Sequence, residues 1–237
     1  MRGGKALLVL FLLVAAADLG SLAAGFTPGH AVAKPLLMPL LAAYVHARGG
    51  PRALVAALLC GWGGDVLLLS DAQAAFLAGM GFFAAGHVCY LLLFGRSPRP
   101  GRPALLAATY GTVLVVTLAL LWPDLPAELR VPVAGYSLLL TAMAYRAGRA
   151  GLVAGLGGAL FLVSDTLIAT GVADWPQLPR PDLWIMLTYL AAQYLLVRGT
   201  PTPGLTSGSA PAAPSAAPTP PRPHPAPPPP HARGSRR

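Results

Sequence analysis

Charge is what this sequence has least of. Only 11% of its 237 residues are Asp, Glu, Lys or Arg, against about 25% in ordinary soluble domains, while 55% are hydrophobic. That leaves too little polar surface to coat a water-soluble globule, and soluble enzyme classes are excluded on this count. Acids are scarcer still, 8 against 17 Lys and Arg, for a formal charge of +9. The excess is no nucleic-acid footprint: Arg222, Arg233, Arg236 and Arg237 lie in a proline-rich tail, and most of the others sit between apolar runs, where positive charge sets membrane topology. Cysteine is nearly absent. Cys60 and Cys89 both fall inside apolar runs, as small buried hydrophobes do, rather than as a disulfide or a metal pair.

What is abundant is long apolar sequence. A bilayer core of about 30 Å takes roughly 17 to 25 residues per helix, and that ruler finds eight segments, near 5–25, 33–47, 53–70, 74–95, 103–122, 131–146, 151–171 and 183–199. The expected fold is therefore all-α, a polytopic membrane domain over 1–199 with about eight transmembrane helices. The second and sixth segments are short and punctuated by Pro35, Pro39 and Pro132, but runs such as Leu36-Leu37-Met38 do not stay in water. Arg2 and Lys5 before the first segment and Ala23-Ala24-Gly25 after it also resemble a signal peptide. The run is long for a signal core, so it is read as a span.

Loop charges then give an orientation. Fourteen of the cationic residues, including Arg2, Lys5, Arg48, Arg52, Arg96, Arg99, Arg102, Arg146, Arg149 and Arg198, fall on one side. Lys34, Arg130 and Arg180 fall on the other, with Asp71, Asp124, Glu128, Asp174 and Asp182. Short cytoplasmic loops collect Lys and Arg, which predicts a multi-pass protein of the cell membrane with both termini cytoplasmic. Trp122, Trp175 and Trp184 then lie at the outer interface. From Thr200 onward, 13 of 38 residues are proline. A disordered, Pro/Ala-rich cytoplasmic tail is expected over 200–237, with PxxP-like stretches that offer weak partner binding and no catalytic surface.

The informative residues are those that are costly in lipid: Asp18, Lys34, Asp65, His87, Asp165 and Gln193, with hydroxyls on Tyr90, Ser164 and Tyr189. Asp65, in Gly-Trp-Gly-Gly-Asp, and Asp165, in Leu-Val-Ser-Asp, each stand some five residues before the outer end of their segments and so share a depth. Gly61, Gly63 and Gly64 on one segment and Gly155, Gly157 and Gly158 on the other allow close backbone approach. Lys34 opens the second segment on the side that otherwise avoids positive charge. His87 and Tyr90 share a helix face at i, i+3, and Tyr189 and Gln193 share one at i, i+4. Asp18, without a motif around it, reads as an interhelical hydrogen bond. Small-Asp-x-Leu recurs 100 residues apart and a proline opens both the second and sixth segments, a pattern compatible with a 4+4 internal repeat about an axis along the membrane normal. No spacing spells a metal site.

These residues also carry a resemblance. Lys34-Pro35-Leu36-Leu37-Met38-Pro39-Leu40, Gly64-Asp65 with Leu67-Leu68-Leu69, Phe76…Gly79…Phe83…His87…Tyr90, Gly158-Ala159-Leu160-Phe161…Ser164-Asp165 and Thr188-Tyr189…Gln193 occur in this order over residues 5–199. The chain thereby resembles the YhhN-type lysoplasmalogenases, polytopic membrane hydrolases. The resemblance implies a lysophospholipid or ether-lipid substrate, hydrolysis of the vinyl ether bond of a lysoplasmalogen, and release of a fatty aldehyde and a glycerophospho-ethanolamine or -choline. It implies no cofactor. That chemistry needs a proton donor and an anion, which two nearby carboxyls supply when one stays protonated. Asp65 and Asp165 are the catalytic candidates, with the assignment of acid and base left open. Lys34, His87, Tyr90, Ser164, Tyr189 and Gln193 are the substrate-binding candidates. Two other classes stay open: a proton-coupled carrier, which would place its charges near the midplane, and a non-catalytic lipid-binding scaffold acting through its tail.

Overall fold

A computed structural model describes residues 2–95 and 103–200. The expected tail over 201–237 and the loop arginines Arg96, Arg99 and Arg102 lie outside the described residues. Eight helices follow one another: α1 (Arg2–Ala24), α2 (Thr27–Ala47), α3 (Arg52–Leu67), α4 (Gln73–Phe94), α5 (Pro103–Leu121), α6 (Ala127–Ala150), α7 (Leu152–Val172) and α8 (Pro181–Gly199). Four stretches, Gly3–Ala24, Gln73–Phe94, Pro103–Leu121 and Leu152–Val172, are long and apolar enough to cross a membrane by length and composition. The polar residues singled out above are divided between these four helices, which carry Asp18, His87, Tyr90, Ser164 and Asp165, and the remaining ones, which carry Lys34, Asp65, Tyr189 and Gln193. The chain is a multi-pass helical membrane protein.

Two helices begin earlier than their sequence suggests. The second starts at Thr27 and the sixth at Ala127, because Pro35 and Pro132 lie inside these helices rather than opening them. Proline removes one helix hydrogen bond, a loss that neighbouring helices compensate inside a membrane bundle. Pro28 takes the first turn of α2, where its missing N–H costs nothing. The extension has a consequence for function: Lys34 is the eighth residue of α2, not its first, and it is buried.

Neighbour relations close into a ring. α1 packs on α2, α2 on α3, α3 on α4, α4 on α6, α6 on α7, α7 on α8 and α8 on α1, while α5 lies outside, against α6 and α7. Of all α5 residues, Leu121 alone is buried. Small residues hold the ring tight around α7. A Cβ on Gly157 would stand 2.9 Å from the Leu196 backbone nitrogen of α8, and one on Gly158 would stand 2.8 Å from Ala144 Cα of α6. The glycines of α3 serve side chains instead: Gly61 makes room for Tyr189 and Gln193, and Gly64 for the Phe83 ring. Cys60 and Cys89 are free thiols, each half-buried.

Contacts between loops sort the helix ends into two groups. Trp175 Nε1 donates to Asp124 at 2.8 Å, Gln73 to Glu128 at 3.4 Å, and Arg180 to the Leu22 carbonyl at 3.1 Å. At the opposite end Arg146 donates to the Gly95 carbonyl at 2.9 Å. The acid-bearing loops therefore gather at one end of the ring.

Candidate active site

Inside the ring, near the acid-bearing end, two carboxylates are each held by a tyrosine from another helix. Tyr189 of α8 donates to Asp65 of α3 at 2.9 Å. Tyr136 of α6 donates to Asp165 of α7. Asp65 is buried to 3% exposure, and Asp165 is half-buried. The two aspartates lie within electrostatic reach of each other, and aromatic rings pack around them. Phe83, Phe161 and Tyr189 meet edge to face at centroid distances of 5.4 to 6.4 Å, and His87 meets Phe161 at 4.8 Å. Such pairs orient one another beyond their apolar burial.

Each tyrosine heads a short chain of hydrogen bonds. Behind Tyr189, Gln193 Nε2 donates to its hydroxyl oxygen at 3.2 Å, and Tyr90 donates to Gln193 Oε1 at 2.6 Å. On the other side, His87 Nε2 lies 3.0 Å from the Tyr136 hydroxyl, and His87 Nδ1 is buried without a partner among the described residues. A buried polar atom left unpaired is costly, which marks His87 as more than a packing residue. The two halves are not equivalent: Tyr90, which a strict repeat would set against Asp165, bonds Gln193 instead. Asp165 takes its hydroxyl from α6.

Most of the candidates named from the sequence converge here. Asp65, Tyr189, Gln193 and Tyr90 form one network, and Asp165 and His87 belong to the other. Ser164 does not join them. Its Oγ donates to the Ile185 carbonyl at 3.1 Å and ties α7 to α8. Lys34 makes no hydrogen bond or ion pair among the described residues but lies within electrostatic reach of Asp65, together with Asp18 and His30. Asp18 is fully buried and pairs with His30 Nδ1 at 2.8 Å, the α1–α2 bond expected of it. Sequence reasoning missed Tyr136 and His30. Nothing about Tyr136 sets it apart from the other tyrosines, while His30 would have emerged had α2 been started at Thr27.

A mostly apolar cleft of about 820 Å3, counting its open mouth, runs between α4, α5, α6 and α7. Leu118, Leu121, Val133, Leu162 and Ala169 are among its walls, and Asp165 and Tyr136 are its chemically distinctive members. Asp165 thus borders an apolar cleft.

The YhhN family model matches residues 29–200, which takes in α3 to α8 and nearly all of α2. The chain belongs to the YhhN family. Among known proteins it is similar to human lysoplasmalogenase TMEM86B, 40% identical over 149 residues that make up 62% of this chain and 63% of that protein. The rat protein of the same name is 36% identical over 176 residues, 73% of this chain and 72% of the other. A Mycobacterium tuberculosis lysoplasmalogenase is 32% identical over 191 residues, 72% and 71% of the two chains. The match to the human relative thus spans a little under two thirds of that protein. No solved structure matches the chain. Every residue of the two tyrosine–aspartate networks lies inside the family match, whereas Asp18, on α1, lies ahead of it.

Proposed function

We propose that this protein is a lysoplasmalogenase: an integral membrane hydrolase that cleaves the vinyl ether bond of a lysoplasmalogen. The observation that carries the reading is the pair Asp65 and Asp165, two carboxyls in an aromatic interior, one of them at the wall of an apolar cleft. The printed names of the relatives support it.

The geometry supports one division of roles. A donor to carbon must touch the carbon, and Asp165 borders the cleft that would take the alkenyl chain; it is the general acid. Asp65, among Tyr189, Gln193 and the Lys34 charge, stands where water and a polar headgroup belong; it is the base. Asp165 protonates the β-carbon of the vinyl ether, and the adjacent carbon becomes an oxocarbenium ion, stabilised by the two carboxylates. Water adds to that carbon as Asp65 takes its proton, giving a hemiacetal. In the collapse, Asp165 removes the hemiacetal hydroxyl proton while Asp65 returns its own to the departing glycerol oxygen. Aldehyde and glycerophospholipid headgroup leave, and both carboxyls are back in their starting states without help from solvent. Tyr136 and Tyr189 fix the two carboxyls, and Lys34 pairs with the headgroup phosphate.

The site lies toward the acid-bearing end, and the arginine-rich end faces the cytoplasm in this reading, with both termini there and the protein in the cell membrane. Substrate enters laterally from the membrane, past α5. The activity test is direct. Purified protein incubated with 1-alkenyl and 1-acyl lysophospholipids should release fatty aldehyde from the first and no fatty acid from the second. Fatty acid without aldehyde would refute the assignment.

A further inference from the structure

The pair Asp18–His30 is used by none of the steps above, yet it sits beside them. Asp18 is wholly buried on α1, and one carboxylate oxygen holds His30 Nδ1 at 2.8 Å. Its second oxygen, Oδ2, has no hydrogen-bond partner among the described residues. With Nδ1 committed to Asp18, the free nitrogen of His30 is Nε2, and no partner for it is found among the described residues. The ring is 13% exposed and stands in the first turn of α2, at the acid-bearing end. Lys34 follows four residues later, one helical turn deeper. At i, i+4 the two side chains project from the same face with Cβ atoms about 5–6 Å apart. Asp18, His30 and Lys34 all lie within electrostatic reach of Asp65. A buried anion is thus spent on orienting one outward-facing imidazole next to a lysine that has no partner of its own.

We infer that His30 and Lys34 form a two-cation cradle for the phosphodiester of the lysolipid headgroup, with Asp18 as the positioning residue that orients the His30 ring. The inference rests on the proposed activity and names the headgroup subsite for it. With Nδ1 on the Asp18 carboxylate, His30 presents Nε2, which donates to a phosphate oxygen when the ring carries its second proton, and Lys34 adds a point charge; both are then charge-assisted donors. The arrangement fits the substrate's connectivity. The phosphate of such a lipid is separated from the vinyl ether oxygen by the three glycerol carbons; His30 and Lys34 lie within electrostatic reach of Asp65, while Asp165 lines the apolar cleft. Recognition of the phosphate also explains why this end of the protein, whose arginines Arg130 and Arg180 bond backbone carbonyls, keeps a lysine without a partner among the described residues.

Binding rather than turnover gives the test, so that it does not depend on the reaction. Two saturated ether lipids that cannot be hydrolysed serve as probes: a 1-O-alkyl-glycerophosphoethanolamine and the matching 1-O-alkylglycerol, which has the chain without the phosphate. Dissociation constants are measured on the purified full-length protein in detergent, where the midpoint is independent of how much protein is active. His30→Gln and Lys34→Gln should each weaken the phosphate-bearing probe about tenfold, as expected for one lost charge-assisted hydrogen bond, and change the alkylglycerol less than about twofold. Asp18→Asn should shift the first probe in the same direction. His30→Lys, which keeps a cation, should restore most of the affinity. If both probes lose affinity alike, or neither does, the cradle is wrong. Failure of the activity reading has a separate signature, the absence of aldehyde from a vinyl ether lysolipid with wild-type protein.

Discussion

Tyr189 reaches from the last helix to give its hydroxyl to Asp65 on the third, at 2.9 Å and across 124 residues of sequence. It is the contact that turns a costly intramembrane carboxyl into a positioned one. Asp165 is held the same way, by Tyr136 of the neighbouring helix α6.

In the proposed cycle both carboxyls act, Asp165 giving its proton to carbon and Asp65 passing a proton from water to the leaving group. Asp65→Asn and Asp165→Asn should therefore each lower kcat by a hundredfold or more, the order expected for loss of a general acid or base. The double variant should be little worse than either single, since members of one catalytic unit are not additive. Aldehyde release by each folded variant is the measurement. A single variant that keeps more than about a tenth of wild-type kcat would remove the two-carboxylate mechanism.

In the proposed mechanism the tyrosines orient rather than transfer. Tyr136→Phe and Tyr189→Phe each delete one hydrogen bond to a carboxylate, worth about 1.5–3 kcal/mol, so kcat should fall by roughly 10- to 100-fold and KM should change little. Tyr90→Phe, three hydrogen bonds from Asp65 by way of Gln193 and Tyr189, should cost less than Tyr189→Phe. Steady-state kinetics on the three variants checks the order.

Gly157 carries a stability prediction. Its α-carbon faces the backbone of α8, where an added Cβ would meet Leu196 N at 2.9 Å and Ala192 O at 3.0 Å. Backbone cannot step aside as a side chain tip can. Gly157→Ala should destabilise by about 1–3 kcal/mol through overpacking, visible as a lower thermal unfolding temperature in detergent. Gly111→Ala, with open space around it, should leave that temperature unchanged or raise it.

Topology is tested by labelling. In a background lacking Cys60 and Cys89, cysteines at Asp71 and Asp174, both exposed in loops of the acid-bearing end, should react with an impermeant thiol reagent on intact cells. One at Arg48, exposed at the other end, should react only after the cells are opened. The reverse pattern would invert the orientation and place the headgroup site on the cytoplasmic face.

The amino-acid sequence alone determined the membrane class, the number of helices and the segregation of charge between the two ends, and it marked Asp65 and Asp165 as candidates, because a scarce charge in lipid is expensive wherever it stands. It did not determine which face of each helix looks inward. In a soluble bundle the apolar stripe marks the core; here lipid and protein interior are about equally apolar, so the hydropathy pattern is silent about faces. That is why Ser164, next to Asp165 in sequence, points to the Ile185 carbonyl, while Tyr136, which no motif marks, holds the catalytic candidate. It is also why the seven-helix ring with α5 outside it was not legible in advance. The start of α2 escaped for a different reason. Proline is a boundary signal in water, yet inside a bundle it is tolerated, and only tertiary packing carried the helix back to Thr27 and brought His30 opposite Asp18.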